Sequence, residues 1–202
     1  MDEYVTIRTR SEGVFKDRKS RFVAFAFPIS SEAEAKNILV EIKKEYHDAS
    51  QYCYAYRCLL SNQEMIEHFD DDDEPSHSAG IQILYVIRNY SLLNVMVIVL
   101  RYYGGIKLGI PGLIHAYKTA TNECLSSSKK ESVTITKHFR VVFTYDVISN
   151  VMSIIKKNHS QVLRQLLDIN CEVEIKTPIR EADSLLHAFA MVSPKIQIYE
   201  IN

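Results

Sequence analysis

No excess of charge of either sign marks this chain: 24 Lys+Arg stand against 25 Asp+Glu, for a formal net charge of -1. No global field therefore steers it towards nucleic acid, and any anion-binding surface has to be a local patch. Cysteine is scarce and poorly spaced for chemistry. Cys53, Cys58, Cys124 and Cys171 form no Cys-x-x-Cys pair, and no histidine stands at zinc-finger distance from any of them, so a zinc site is not expected. Cys53 and Cys58 are an odd number of residues apart in a stretch that reads as a strand, which sends them to opposite faces and keeps them from sharing a metal or a disulfide. Free thiols in a reducing compartment follow. Long hydrophobic runs are missing too. The longest purely apolar stretch, residues 95–100, is far short of the roughly 20 residues that span a bilayer, and it reads as a buried strand. The start, Met1-Asp2-Glu3-Tyr4, lacks the basic residues and apolar stretch of a signal peptide. The expectation is a soluble cytoplasmic protein with no membrane partner, metal or cofactor.

What is present is enough apolar material for folding: 47% of 202 residues, sufficient for one good core or two small ones when a domain takes roughly 100 to 150 residues. Residues 21–29 alternate Val23, Phe25 and Phe27 with Phe22, Ala24 and Ala26, a strand with both faces covered. Ser31 and Glu34 have capping-box spacing, and Ala35, Ile38, Leu39 and Ile42 follow at helical intervals, which predicts a helix over 31–46. Tyr52, Tyr54 and Tyr56 alternate along a second strand, which turns near Ser61-Asn62 into a third ending at Phe69. Pro75 suits the first turn of a helix whose apolar stripe is Ala79, Ile83, Val86 and Ile87. A strand over 93–103 comes next, and then a helix carrying Leu113, Ala116, Tyr117, Ala120 and Cys124 on one face. The polar stretch 126–131 is the best boundary, giving domains 1–130 and 131–202. Beyond it the order is βαββαβ, the pattern of a ferredoxin-like sandwich with both helices on one face of an antiparallel sheet, and the fold class is α+β.

The densest candidate for chemistry runs from Arg101 to Gly112. Gly104, Gly105, Gly109 and Gly112 permit close approach of another molecule to the backbone, and free N–H groups at the following helix start, with Lys107 and Arg101, would form an anion pocket. The alternative is a tight strand-to-helix connection with no guest. The loop matches neither Gly-x-Gly-x-x-Gly nor a Walker A sequence. Asp70-Asp71-Asp72-Asp73-Glu74 leads into a helix start, where negative charge is favoured. Capping is one reading, an oxygen-ligand metal site lacking EF-hand spacing a second, and pairing of these carboxylates with Arg101 or Lys107 a third. Tyr56, Tyr102 and their neighbours offer rings for stacking on unpaired bases, or simply cross-strand packing. Asp73, Glu74 and His77 are the acid/base candidates, and His115 also flanks a loop.

Several ordered blocks resemble the YigZ/IMPACT family. Asp72-Asp73-Glu74-Pro75-Ser76-His77-Ser78-Ala79-Gly80 is similar, not gap-free, to its Asp-Asp-Gly-Glu-Pro-Ser-Gly-Thr-Ala-Gly motif. Arg101 to Gly109 resembles its Arg-Tyr-Phe-Gly-Gly-Ile-Lys-Leu-Gly block, and Lys19-Ser20-Arg21-Phe22 and Cys53-Tyr54-Ala55-Tyr56-Arg57 match early segments. The resemblance implies a first domain like domain 2 of ribosomal protein S5 and a second like the ferredoxin-type domains of elongation factor G. It also implies a link to translation, with suspected nucleic-acid or ribosome binding in bacterial members. This chain departs from the pattern with His77-Ser78 for Gly-Thr, an aspartate for glycine in the acidic run, Gln82 for Pro, Pro111 for Gly and His115 for Arg. Lys118 remains as a further cation beside Lys107 and Arg101.

The functional expectation is a translation-associated regulator that binds RNA, the ribosome or a translation-related protein through Arg101, Tyr102, Gly104, Gly105, Lys107, Gly109, Gly112, Lys118 and Tyr56. The alternative is an enzyme acting on a small phosphorylated or anionic metabolite, with Glu74 or Asp73 as acid/base and Lys107 holding the anion. A third reading is a protein-interaction module whose partner pairs with the C-terminal sheet.

Overall fold

A computed structural model describes residues 1–60, 63–192 and 196–201. The chain divides into two compact units, Val5–Ser132 and a second made of Met1–Tyr4 with Val133–Asn202. The first four residues thus group with the C-terminal unit. Strands β1 (Glu3–Ile7) and β7 (Lys130–Thr134) pair with each other where the chain divides.

In the first unit five antiparallel strands form one sheet in the order β2-β3-β6-β4-β5: β2 (Ser11–Asp17), β3 (Ser20–Pro28), β6 (Val95–Tyr102), β4 (Gln51–Leu59) and β5 (Met65–Asp70). The apolar run 95–100 becomes the central strand because it has cover on both sides. Val95, Val97 and Val99 join Phe22, Ala24, Cys53 and Ala55 under α2 (Gly80–Asn89) and α3 (Gly109–Ser126), whereas Met96, Ile98 and Leu100 join Val23, Phe25, Tyr56 and Cys58 under α1 (Glu32–Glu45). Cys53 and Cys58 accordingly face opposite ways, and all four cysteines are buried free thiols.

Ser31 caps α1 as its spacing predicts, its Oγ accepting the Glu34 N–H at 3.2 Å. One expectation shifts. Residues 75–78 form a turn, closed by the Ser78 N–H on the Pro75 carbonyl, and α2 starts only at Gly80. Helix α3 starts at Gly109, ahead of Leu113, with Pro111 in its first turn where a missing N–H does no harm. The turn placed near Ser61-Asn62 lies outside the described residues.

The second unit has the order β8 (Thr136–Thr144), α4 (Ile148–Lys157), β9 (Gln161–Leu166), β10 (Asn170–Pro178), α5 (Ile179–Val192) and β11 (Gln197–Ile201). Its antiparallel sheet runs β11-β8-β10-β9. Phe139, Val141 and Phe143 of β8 and Cys171, Val173 and Ile175 of β10 meet Val151 and Ile155 of α4 and Leu185 and Phe189 of α5, so both helices lie on one face. This is the ferredoxin-like βαββαβ sandwich that the element order predicts.

Candidate functional site

The end of β6 and the turn after β5 deliver two opposite charges to one buried point. Alternation along β6 puts Arg101 on the face of Val97 and Val99, beneath α2 and α3, and the turn after β5 brings Glu74 to it. Arg101 donates through Nη1 to Glu74 Oε1 at 2.6 Å, with side chains only 8% and 4% exposed. The Tyr117 hydroxyl, from α3, donates to the same oxygen at 2.9 Å. Beyond it, Cys53 Sγ lies 3.2 Å from the Tyr117 hydroxyl and 3.1 Å from the Asp71 carbonyl. Burial pushes both the Cys53 thiol and the Tyr117 hydroxyl well up, so each keeps its proton as a donor at neutral pH. The guanidinium of Arg101 also lies over the Phe22 ring at 5.6 Å and the Tyr103 ring at 5.1 Å. A carboxylate held by two donors is fixed in place.

The rest of the acidic run serves the backbone. Asp71 caps α2: one carboxylate oxygen accepts from the N–H groups of Ala79 (3.0 Å) and Gly80 (2.7 Å), the other from His77 (2.7 Å). Asp70 accepts the Asp72 N–H, and Asp72 accepts the Tyr52 N–H. Asp73 is exposed. Among the described residues, no group of three His, Cys, Asp or Glu side chains is placed to hold a metal ion. His77 has a left-handed backbone, with φ 64°, at the position where the family motif has glycine. Asp71→Ala is expected to cost about 1–2 kcal/mol, read as a lower urea midpoint, with Asp71→Asn recovering part of it.

Above the ion pair opens a recess of about 520 Å³. Glu74 and Arg101 lie in its lining with Lys107, Gly109, Tyr103 and Ile110. The α3 N-terminus also borders it, with no side-chain cap and no acidic residue in its first turn. An uncapped helix start carries free N–H groups and partial positive charge. The recess can therefore take a negative group, with Lys107 as the exposed cation of its lining. Arg101 is less available than the sequence implies, because Glu74 already balances its charge.

The remaining sequence candidates separate. Tyr56 and Tyr102 lie on the opposite, α1-covered face: Tyr56 donates to Glu32 and stacks with His68 in a smaller recess, while Tyr102 carries Arg21 over its ring. The β alternation that points Arg101 towards α3 points Tyr102 away. Lys118 is on α3 beside the Tyr85 ring, and His115 meets Phe15 edge-on, both outside the recess lining. Gly104 supports the loop from behind, against the Lys19-Ser20 backbone, with its N–H on Ser20 Oγ at 3.2 Å. Gly112 packs on Leu108, and Gly105 and Gly109 supply positive φ. Local sequence gave no role to Ser50 or Gln51, which line the recess; Ser50 Oγ accepts the Tyr103 N–H. The buried position of Tyr117 was readable from its helical stripe, but its bond to Glu74 was not.

What the fold and recess define is a two-unit α+β protein in which a glycine-rich loop and the start of α3 border a recess beside a buried ion pair. The model of the Impact N-terminal domain matches residues 18–125, and the chain belongs to the IMPACT family. It is 30% identical over 187 residues to IMPACT family member YvyE of Bacillus subtilis (strain 168), covering 91% of this chain and 83% of that protein. Protein IMPACT of Mus musculus is 33% identical over 109 residues, 52% of this chain and 34% of that protein. A crystal structure described as that of a hypothetical protein covers 100% of this chain and 98% of its own with a TM-score of 0.72 at 21% identity, a likeness of fold. Among the described residues, no helix is long and apolar enough to cross a membrane.

Proposed function

We propose that this chain is a translation-associated regulator that engages RNA or the ribosome by docking a phosphate in the recess between the acidic turn and the glycine loop. The observation that carries the reading is the uncapped α3 N-terminus opening beside Lys107 and Arg101 in one concavity. Family membership supports the translation side of it. Because the Glu74 carboxylate balances Arg101, the attraction rests on Lys107 and the helix end, and on little else in a chain of net charge -1.

That balance sets the expected salt response. Lys107→Ala should weaken binding to single-stranded RNA by about tenfold and flatten the plot of log affinity against log salt by about 0.7, the slope of one lost phosphate contact on a single strand. Fluorescence anisotropy over a salt series measures both. Absence of RNA binding and of ribosome cosedimentation at low salt would discard the proposal.

A further inference from the structure

We infer that the recess is shaped for a single nucleotide, its phosphate at Lys107 and the α3 N-terminus and its base against Tyr103. The inference rests on the anion-binding reading above and narrows it to a ligand class. A volume of about 520 Å³ lies within the roughly 300–1,000 Å³ of small-ligand sites and suits one nucleotide, not a duplex. Tyr103, Ile110 and Leu113 are its apolar lining, and Lys107, Gln51 and the paired Arg101 and Glu74 its polar lining. Tyr103 is 47% exposed with the Arg101 guanidinium over its ring, so the ring is held from one side and leaves area for a stacked base.

Two polar atoms of the lining residues are buried without a partner. Arg101, only 7% exposed overall, has its Nε buried with no hydrogen-bond partner, and so has Gln51 Oε1. One is a donor and the other an acceptor. Each has less than 1 Å² of exposed surface, so the base is recognised by stacking on Tyr103 and not by hydrogen bonds to these two atoms.

A nucleotide can arrive free or as the end of an RNA, and titration of the full chain separates the sources. The probes are AMP, adenosine, inorganic phosphate and a short single-stranded RNA. AMP is expected to bind at least about tenfold more tightly than phosphate or adenosine. Tyr103→Ala should bring AMP down to the level of phosphate, and Tyr103→Phe should retain the AMP affinity. RNA that displaces AMP identifies an RNA end as the guest. RNA that binds without displacing AMP still supports a nucleotide site but moves RNA elsewhere on the molecule. AMP binding no tighter than phosphate overturns the nucleotide inference and leaves the anion site standing. No binding of any probe overturns both.

Discussion

Glu74→Ala is expected to lower the stability of the Val5–Ser132 unit by about 3–5 kcal/mol, a large part of the roughly 5–15 kcal/mol that holds a domain together. The cost comes from what is left behind. Arg101 is buried in a strand whose apolar neighbours cannot move aside, so its guanidinium would stay in place without its counter-charge, and the Tyr117 hydroxyl would lose its acceptor. The Phe22 and Tyr103 rings offset only a fraction of that loss. Adding Arg101→Met removes the orphaned charge and fills the space with a flexible apolar chain, so the double variant should be more stable than Glu74→Ala alone. Urea unfolding of the four proteins of this cycle gives the coupling directly. A double variant less stable than Glu74→Ala would mean that Arg101 is held mainly by its packing and not by the carboxylate.

Features carried by one periodic segment were legible in the sequence. The all-apolar run 95–100 had to be a strand covered on both faces, the Ser31 to Glu34 spacing had to open a helix, and the alternation in residues 171–176 had to give a half-buried strand. The N-terminal hairpin was not legible, because its turn residues Arg18 and Lys19 adopt φ of 42° and 66° where Asn-Gly is the usual signal, and β2 is a polar edge strand. The start of α2 was missed for a related reason. Pro75 fits a first helical turn, yet the tertiary cap from Asp71 selects Gly80 instead. For the site, local residues allowed the acidic run to pair with Arg101 without showing which carboxylate does so. That choice is made by burial, which only Glu74 of the run attains. The tyrosines and Lys118 were grouped with Lys107 by chemistry, but strand alternation and helix length scatter them over different surfaces.

The glycines of the loop invite a second test, because the sequence treats them alike and the structure does not. A Cβ on Gly104 would stand 2.2 Å from the Lys19 carbonyl carbon and 2.6 Å from the Ser20 nitrogen, both backbone atoms of the hairpin held in register by β2 and β3. Neither side can yield without breaking the sheet edge or pulling Tyr103 from Ser50. Gly104→Ala is therefore expected to cost about 3 kcal/mol and to lower the melting temperature by roughly 6–12 °C. Gly105 has φ +83° with nothing near its Cβ position, so Gly105→Ala should cost only about 1–2 kcal/mol of backbone strain. Ligand affinity should respond differently from stability. Gly104 lies outside the recess lining, so the folded fraction of Gly104→Ala loses anion binding only insofar as the loop carrying Lys107 is displaced. Thermal melts with and without saturating phosphate separate the two effects. Equal melting temperatures for the two alanine variants would show that the hairpin gives way at Lys19, and that Gly104 is there for conformational freedom and not for close approach.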